Sequence, residues 1–188
     1  MGRDKATLPF GPELMLQRVI RLVGEIVDCH RIVVVAAPGQ LLPPLPPEVT
    51  VTHDHRQGRG PLEGLSAGLG AAHGDVDAAY VTSCDVPLLV PAFMAKMFEL
   101  LGDHEIAVPL DGEFFHPLAA VYRPSVRNHV QRLLYADRLR PRFLFDEAST
   151  REVPVNDLRD VDPDLATLEN LNNPEDYARA LAAARFQS

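Results

Sequence analysis

Apolar residues recur at Leu16, Val19, Ile20, Val23, Ile26 and Val27, the three-and-four spacing of a helix that buries one face. Pro12 suits the first turn of that helix, where a missing N–H is no loss, so the pattern predicts a helix over 12–27. The run 32–36 is short, β-branched and apolar on both faces, as a central parallel strand should be. Four prolines in 41–48 predict a surface loop, and 48–53 reads as a second strand. A small-residue helix is expected over 61–73, with glycines and alanines that permit close packing on a sheet. Residues 78–83 read as a third buried strand, and 91–101 as another helix. Strands near 105–109 and 118–122 flank the turn Asp111-Gly112. Helices are expected near 124–136 and 141–148, then a short strand near 152–155 and a closing helix over 174–186.

Strands that alternate with helices indicate an α/β layered domain with a mostly parallel sheet. With 188 residues, no internal repeat and no linker, the whole chain 1–188 reads as one domain with one well-buried core. Hydrophobic residues at 46% and charged residues at 23% are ordinary for a globular protein, and the formal net charge is −8. That acidic balance argues against a nucleic-acid or anionic-membrane surface. If the substrate carries phosphates, the positive charge must be concentrated locally or supplied by a metal. Two cysteines, Cys29 and Cys84, are too few for a disulfide framework. They read as buried free thiols of a reducing compartment. No apolar run approaches the ~20 residues of a membrane span, and the expected localisation is cytoplasmic.

In such a sheet, ligands sit at the carboxyl ends of the strands, which directs attention to three loops: 54–64, 84–88 and 111–117. Asp85 directly follows a strand, where rigid backbone holds its carboxylate. One fixed carboxylate with open positions suits magnesium, which keeps waters and takes its remaining ligands from phosphates; the alternative is an Asp that caps the next turn. Gly58, Gly60 and Gly64 allow backbone to approach a ligand closely, or form an ordinary flexible connection. His53-Asp54-His55 makes a poor zinc site, because alternate strand residues point to opposite faces. His116 is a ligand-facing donor or a turn residue. Cys84 reads as a small buried residue, since no His–acid pair can be assigned to it.

Several segments, taken in order, resemble one family. Residues 1–11, beginning Met1-Gly2-Arg3-Asp4-Lys5, resemble the second half of a nucleotidyltransferase signature that opens with a strand and a Leu-Ala-Gly-Gly run. Gly60-Pro61-Leu62-Glu63-Gly64 is similar to the Gly-Pro-Leu-x-Gly loop of molybdenum cofactor guanylyltransferases, and Cys84-Asp85-Val86-Pro87 to their Cys-Asp-x-Pro motif. His116-Pro117-Leu118 and the segment from Asn170 to Glu175 match two further family segments.

The resemblance implies a Rossmann-like three-layer nucleotidyltransferase domain that transfers GMP from GTP to molybdopterin with Mg²⁺ and releases pyrophosphate. By motif position it implies that Lys5 contacts the nucleotide phosphates and that Asp85 binds magnesium. Asp54 would contact the guanine nucleotide, the loop with Pro61, Leu62 and Gly64 would seat the base, and Asn170 and Asn172 would lie near the pterin. The family's asparagine after the first β-branched strand stands here as Ala36. A protein that delivers molybdopterin, or a molybdoenzyme that takes the product, would be a partner. The rival readings are a transferase specific for CTP or a sugar phosphate, and a non-catalytic nucleotide-fold binding protein. Because the resemblance starts inside the signature, the family's first strand and Gly-rich loop are expected to be missing from this chain. The chain as written is accordingly expected to be weakly active or inactive.

Overall fold

A computed structural model describes residues 4–72 and 76–184. Of the expected features, Met1 to Arg3, the end of the second helix at His73 and the end of the last helix at Phe186 lie outside those residues.

The chain enters through a 3₁₀ turn at Lys5–Thr7 and a hairpin of β1 (Pro9–Phe10) with β2 (Glu13–Leu14). Gly11, at φ 64°, takes the left-handed conformation that the tight reversal requires. Pro12 therefore lies in a hairpin turn and not in the first helical turn. Helix α1 (Met15–Val23) starts only after β2 and stops at Gly24. Gln17 accepts the Leu14 N–H through Oε1 at 3.1 Å, which satisfies one of the donors a helix start leaves free. Met15, Leu16, Val19, Ile20 and Leu22 form the buried face, whereas Ile26, past the helix end, is exposed.

Strand β3 (Val33–Ala36) pairs in parallel with β4 (Thr50–His53). Ile32 and Val34 pack against Leu16 and Ile20 of α1. The opposite face meets α2 (Pro61–Ala71), where a side chain added at Gly68 would lie 3.3 Å from Val35 Cγ2. The small residues of α2 thus do permit the close approach to a sheet that their composition suggested.

The remaining strands are β5 (Ala79–Thr82), β6 (Ile106–Asp111), β7 (Phe114–Phe115), β8 (Ala119–Tyr122) and β9 (Thr150–Pro154), in one sheet ordered β5-β8-β6-β7 with β9 against β6. Strand β8 is antiparallel to both β5 and β6, and β9 is parallel to β6. It follows that β5, β6 and β9 share one direction, with β8 reversed between two of them. Alternate side chains serve opposite faces. Ile106, Val108, Ala120 and Tyr122 join α2, α4 (Arg127–Tyr135) and α5 (Arg142–Glu147). Ala107, Ala119, Val121 and Val153 join Phe93, Met97 and Leu101 of α3 (Pro91–Leu101). The result is a helix–sheet–helix sandwich, and α6 (Pro174–Ala183) packs through Ala180 against Phe10, Met15 and Leu171. Among the described residues, no helix is long and apolar enough to cross a membrane.

Candidate nucleotide site

Ala6, 2% exposed, buries itself among Leu16, Ile32 and Val34 and so anchors the 3₁₀ turn that carries Lys5. Asp4 caps the same turn, accepting the Ala6 N–H through Oδ1 at 3.0 Å. From this base the Lys5 ammonium reaches Asp85 Oδ2 at 2.7 Å and Asn172 Oδ1 at 3.3 Å. Lys5 thus meets at one point two partners that lie 80 and 167 positions away along the chain.

Asp85 follows shortly after the end of β5 at Thr82. Ser83 donates a hydroxyl hydrogen bond to its other oxygen, Oδ1, and its backbone carbonyl accepts the Leu171 N–H at 3.0 Å. Leu171 is 1% exposed, so a buried side chain fixes the segment that brings in Asn172. Asp176 then accepts the N–H groups of Asn172 and Asn173 at 3.0 and 3.2 Å. Those hydrogen bonds, with Arg179, hold the Asp176 carboxyl below the ordinary range. Asn170 is exposed and is not tied into this cluster.

The loop after β3 joins the same end of the sandwich. Gln40 donates to both oxygens of Asp4 at 3.0 and 2.9 Å and accepts the Ala37 N–H at 3.0 Å. Asp4 and Lys5 thus link the end of β3 to the end of β5. Asp54 extends the β3–β4 ladder by donating its N–H to Ala36 O at 3.1 Å. Its Oδ1 is buried without a hydrogen-bond partner among the described residues. Desolvation, followed by the nearby Glu63 carboxylate, pushes the Asp54 carboxyl above its ordinary range. Gly64 brings α2 close to it, for a side chain there would lie 3.6 Å from Asp54 Oδ1. Pro61 is exposed at the first position of α2, after Gly60 at φ 71°. Leu62, at 1% exposure, packs its side chain into the core with Leu65 and Leu69. Only its backbone is available to a ligand.

Burial, then Asp85, pushes the Cys84 thiol up to about 11, which disfavours the nucleophilic thiolate. His116 donates its N–H to Pro109 O at 2.9 Å and turns the chain between β7 and β8, with Nε2 buried and unpartnered. Burial lowers its imidazole below the ordinary histidine range.

The donor set suits a hard divalent cation supplied with substrate. Asp85 offers one carboxylate that already attracts an ammonium. Among the described residues, no group of three His, Cys, Asp or Glu side chains could hold an ion without further ligands. Magnesium sites of this type take one or two carboxylates and complete the shell with water and phosphate oxygens. Sequence reasoning did not single out Asp4, Gln40, Ser83 or Asp176. Ser83 had a local signal, a hydroxyl two residues before a strand-end carboxylate; Gln40 had none.

Comparison with known proteins shows the family and the fold. The model of a MobA-like NTP transferase domain matches residues 1–151. A probable molybdenum cofactor guanylyltransferase of Mycolicibacterium paratuberculosis is 36% identical over 191 residues, covering 98% of this chain and 90% of that protein. Among solved structures, the molybdopterin-guanine dinucleotide biosynthesis protein A of Archaeoglobus fulgidus superposes with a TM-score of 0.75 at 20% identity, covering 97% of this chain and 91% of its own. The 2-C-methyl-D-erythritol 4-phosphate cytidylyltransferase of Thermus thermophilus gives 0.71 at 14% identity, covering 96% and 93%. A manganese complex of Rv0371c from Mycobacterium tuberculosis gives 0.58 at 16% identity, covering 96% and 93%.

Proposed function

The chain belongs to the MobA-like NTP transferase family, and from that premise we propose that it transfers GMP from GTP to the phosphate of molybdopterin. A phosphate oxygen of molybdopterin attacks the α-phosphorus of GTP; the bond to the β-phosphate breaks and pyrophosphate leaves. The observation that carries this reading is the meeting of Lys5, Asp85 and Asn172 at the carboxyl end of the sheet. Transfer of this type needs positioning and charge neutralisation and little covalent work from the protein. The attacking oxygen is ionised near neutral pH, so the absence of an activated nucleophile at Cys84 is no obstacle.

In this reading Lys5 binds the nucleotide phosphates, and Asp85, held through both oxygens and its own backbone, is the protein's ligand to a divalent ion, for which we propose Mg²⁺. When bound, that ion would neutralise charge developing on the phosphates. Asp54, with an oxygen that none of the described residues satisfies, is assigned to the guanine nucleotide, beside the base seat formed by the backbone of 60–64 with Pro61 and Gly64. Asn172 and the exposed Asn170 are assigned to the pterin side. The free cysteines and acidic charge support a cytoplasmic location, where a molybdopterin-delivering protein or a molybdoenzyme would be the partner.

A cytidylyl specificity is the second reading, because a cytidylyltransferase shares the fold. A panel of GTP, CTP, ATP and UTP with molybdopterin and Mg²⁺, read by pyrophosphate release, separates the two. Faster turnover with CTP than with GTP would reject the guanylyl assignment.

A further inference from the structure

We propose that Arg59 is a positioning residue that clamps the nucleotide-base loop onto the end of α4. The inference rests on the reading of 54–64 as the base seat and adds a residue to which that reading gives no role.

The loop has little stiffness of its own. Gly58 and Gly60 flank Arg59 at φ 77° and 71°, and neither carries a side chain that could hold the turn. Arg59 supplies the anchor. Its side chain is 17% exposed, and Nη2 donates to the Leu134 carbonyl. Nη1 lies 3.2 Å from Asp137 Oδ1, and Nε lies 3.5 Å from Glu63 Oε2. Nη2 thus makes a hydrogen bond, while Nη1 and Nε make ion-pair contacts, Nε having no hydrogen-bond partner among the described residues. One planar fork spans all three groups, which a lysine ammonium cannot do.

The receiving surface is rigid and shaped for this contact. Val130 and Leu133 bury α4 in the core. Past its end the chain reverses, with the Asp137 N–H donating to Leu134 O at 3.2 Å and the Arg138 N–H to Leu133 O at 2.9 Å, as at left-handed helix ends. Asp137 itself stands at φ 56°, a conformation that side chains other than glycine adopt at a cost. On the other side of the clamp, Glu63 is 4% exposed and Arg59 is its ion-pair partner. Glu63 is also the charge that, after desolvation, raises the Asp54 carboxyl. Arg59 therefore fixes the loop to α4 and holds the carboxylate that faces Asp54.

Two measurements on the full chain test this: amide hydrogen exchange over 54–64, and the dissociation constant of GTP with Mg²⁺. The variants are Arg59→Met, Arg59→Lys, and Arg59→Met combined with Glu63→Gln, which leaves no unpaired buried carboxylate to unfold the chain. The double variant is expected to melt near the unaltered chain yet exchange faster in the loop and bind GTP about tenfold more weakly, because pre-organisation is lost. Arg59→Lys should recover part of the affinity. Unchanged exchange in the double variant would overturn the clamp, and unchanged affinity with faster exchange would overturn its role in binding. If the unaltered chain binds no GTP, the role in binding fails, while exchange still decides the clamp and the nucleotide panel decides the guanylyl reading.

Discussion

The strands β3 and β4 and the strands β6 and β8 use similar apolar residues, but their surroundings differ. Ile106, Ala107 and Val108 of β6 and Ala120 and Val121 of β8 are fully buried. In β3 only Val34 and Ala36 are buried, and Val51 of β4 is 42% exposed. β6 and β8 lie inside a five-stranded sheet with helices on both faces. Among the described residues, β4 pairs with β3 alone. The buried half supplies rigidity. The more open half carries Asp54, Gln40 and, through the entering turn, Asp4 and Lys5, where a ligand can reach them.

The largest test of this division is Ile106→Ala against Val51→Ala. The first should remove about 3 kcal/mol by leaving a cavity, and the second less than about 0.5 kcal/mol, both read by denaturant unfolding. Equal losses would erase the distinction. Asp85→Ala should lower turnover by about a hundredfold or more, on the order of 3 kcal/mol, with little change in melting temperature, and Lys5→Ala should act in the same direction by about tenfold. Wild-type rates for both would remove these residues from the site.

Asp54 sharpens the contrast through pH. Its folded carboxyl holds a proton more tightly than the unfolded one, so the stability it contributes is present at low pH and lost as pH rises through its folded value. Asp54→Asn should therefore raise the melting temperature slightly near neutral pH, with the gain vanishing below about pH 4, while GTP binding weakens. A gain confined to acid would contradict the burial of Asp54 Oδ1. The smallest effect belongs to Cys84→Ser. With its thiol pushed up to about 11, Cys84 supplies little thiolate, and initial rates should stay within about twofold of the unaltered chain.

Much of the fold was legible in the sequence because burial leaves a local period. Helix α3 occupies 91–101 as the pattern predicted, and β3, β5 and β8 fall within their expected runs. Asp85 was legible as a polar residue after an apolar strand and Asp54 as the end of the second strand, and the resemblance to guanylyltransferases supplied the roles proposed for them. The hairpin before α1 was not, since strands of two residues each are too short to show a period. Pro12 fits a turn as well as a first helical position.

What the sequence by itself determined is the order of elements, the layered α/β class and the strand ends at which charge would be exposed. All of these follow from side-chain spacing over short stretches of chain. Only the tertiary structure decided that β8 runs reversed between β5 and β6, that Leu62 turns into the core, and that Arg59 reaches α4. It also decided that Lys5 meets Asp85 and Asn172. Strand pairing and ion pairing join residues through space, and their partners are chosen by how the layers stack, a choice that no local spacing records.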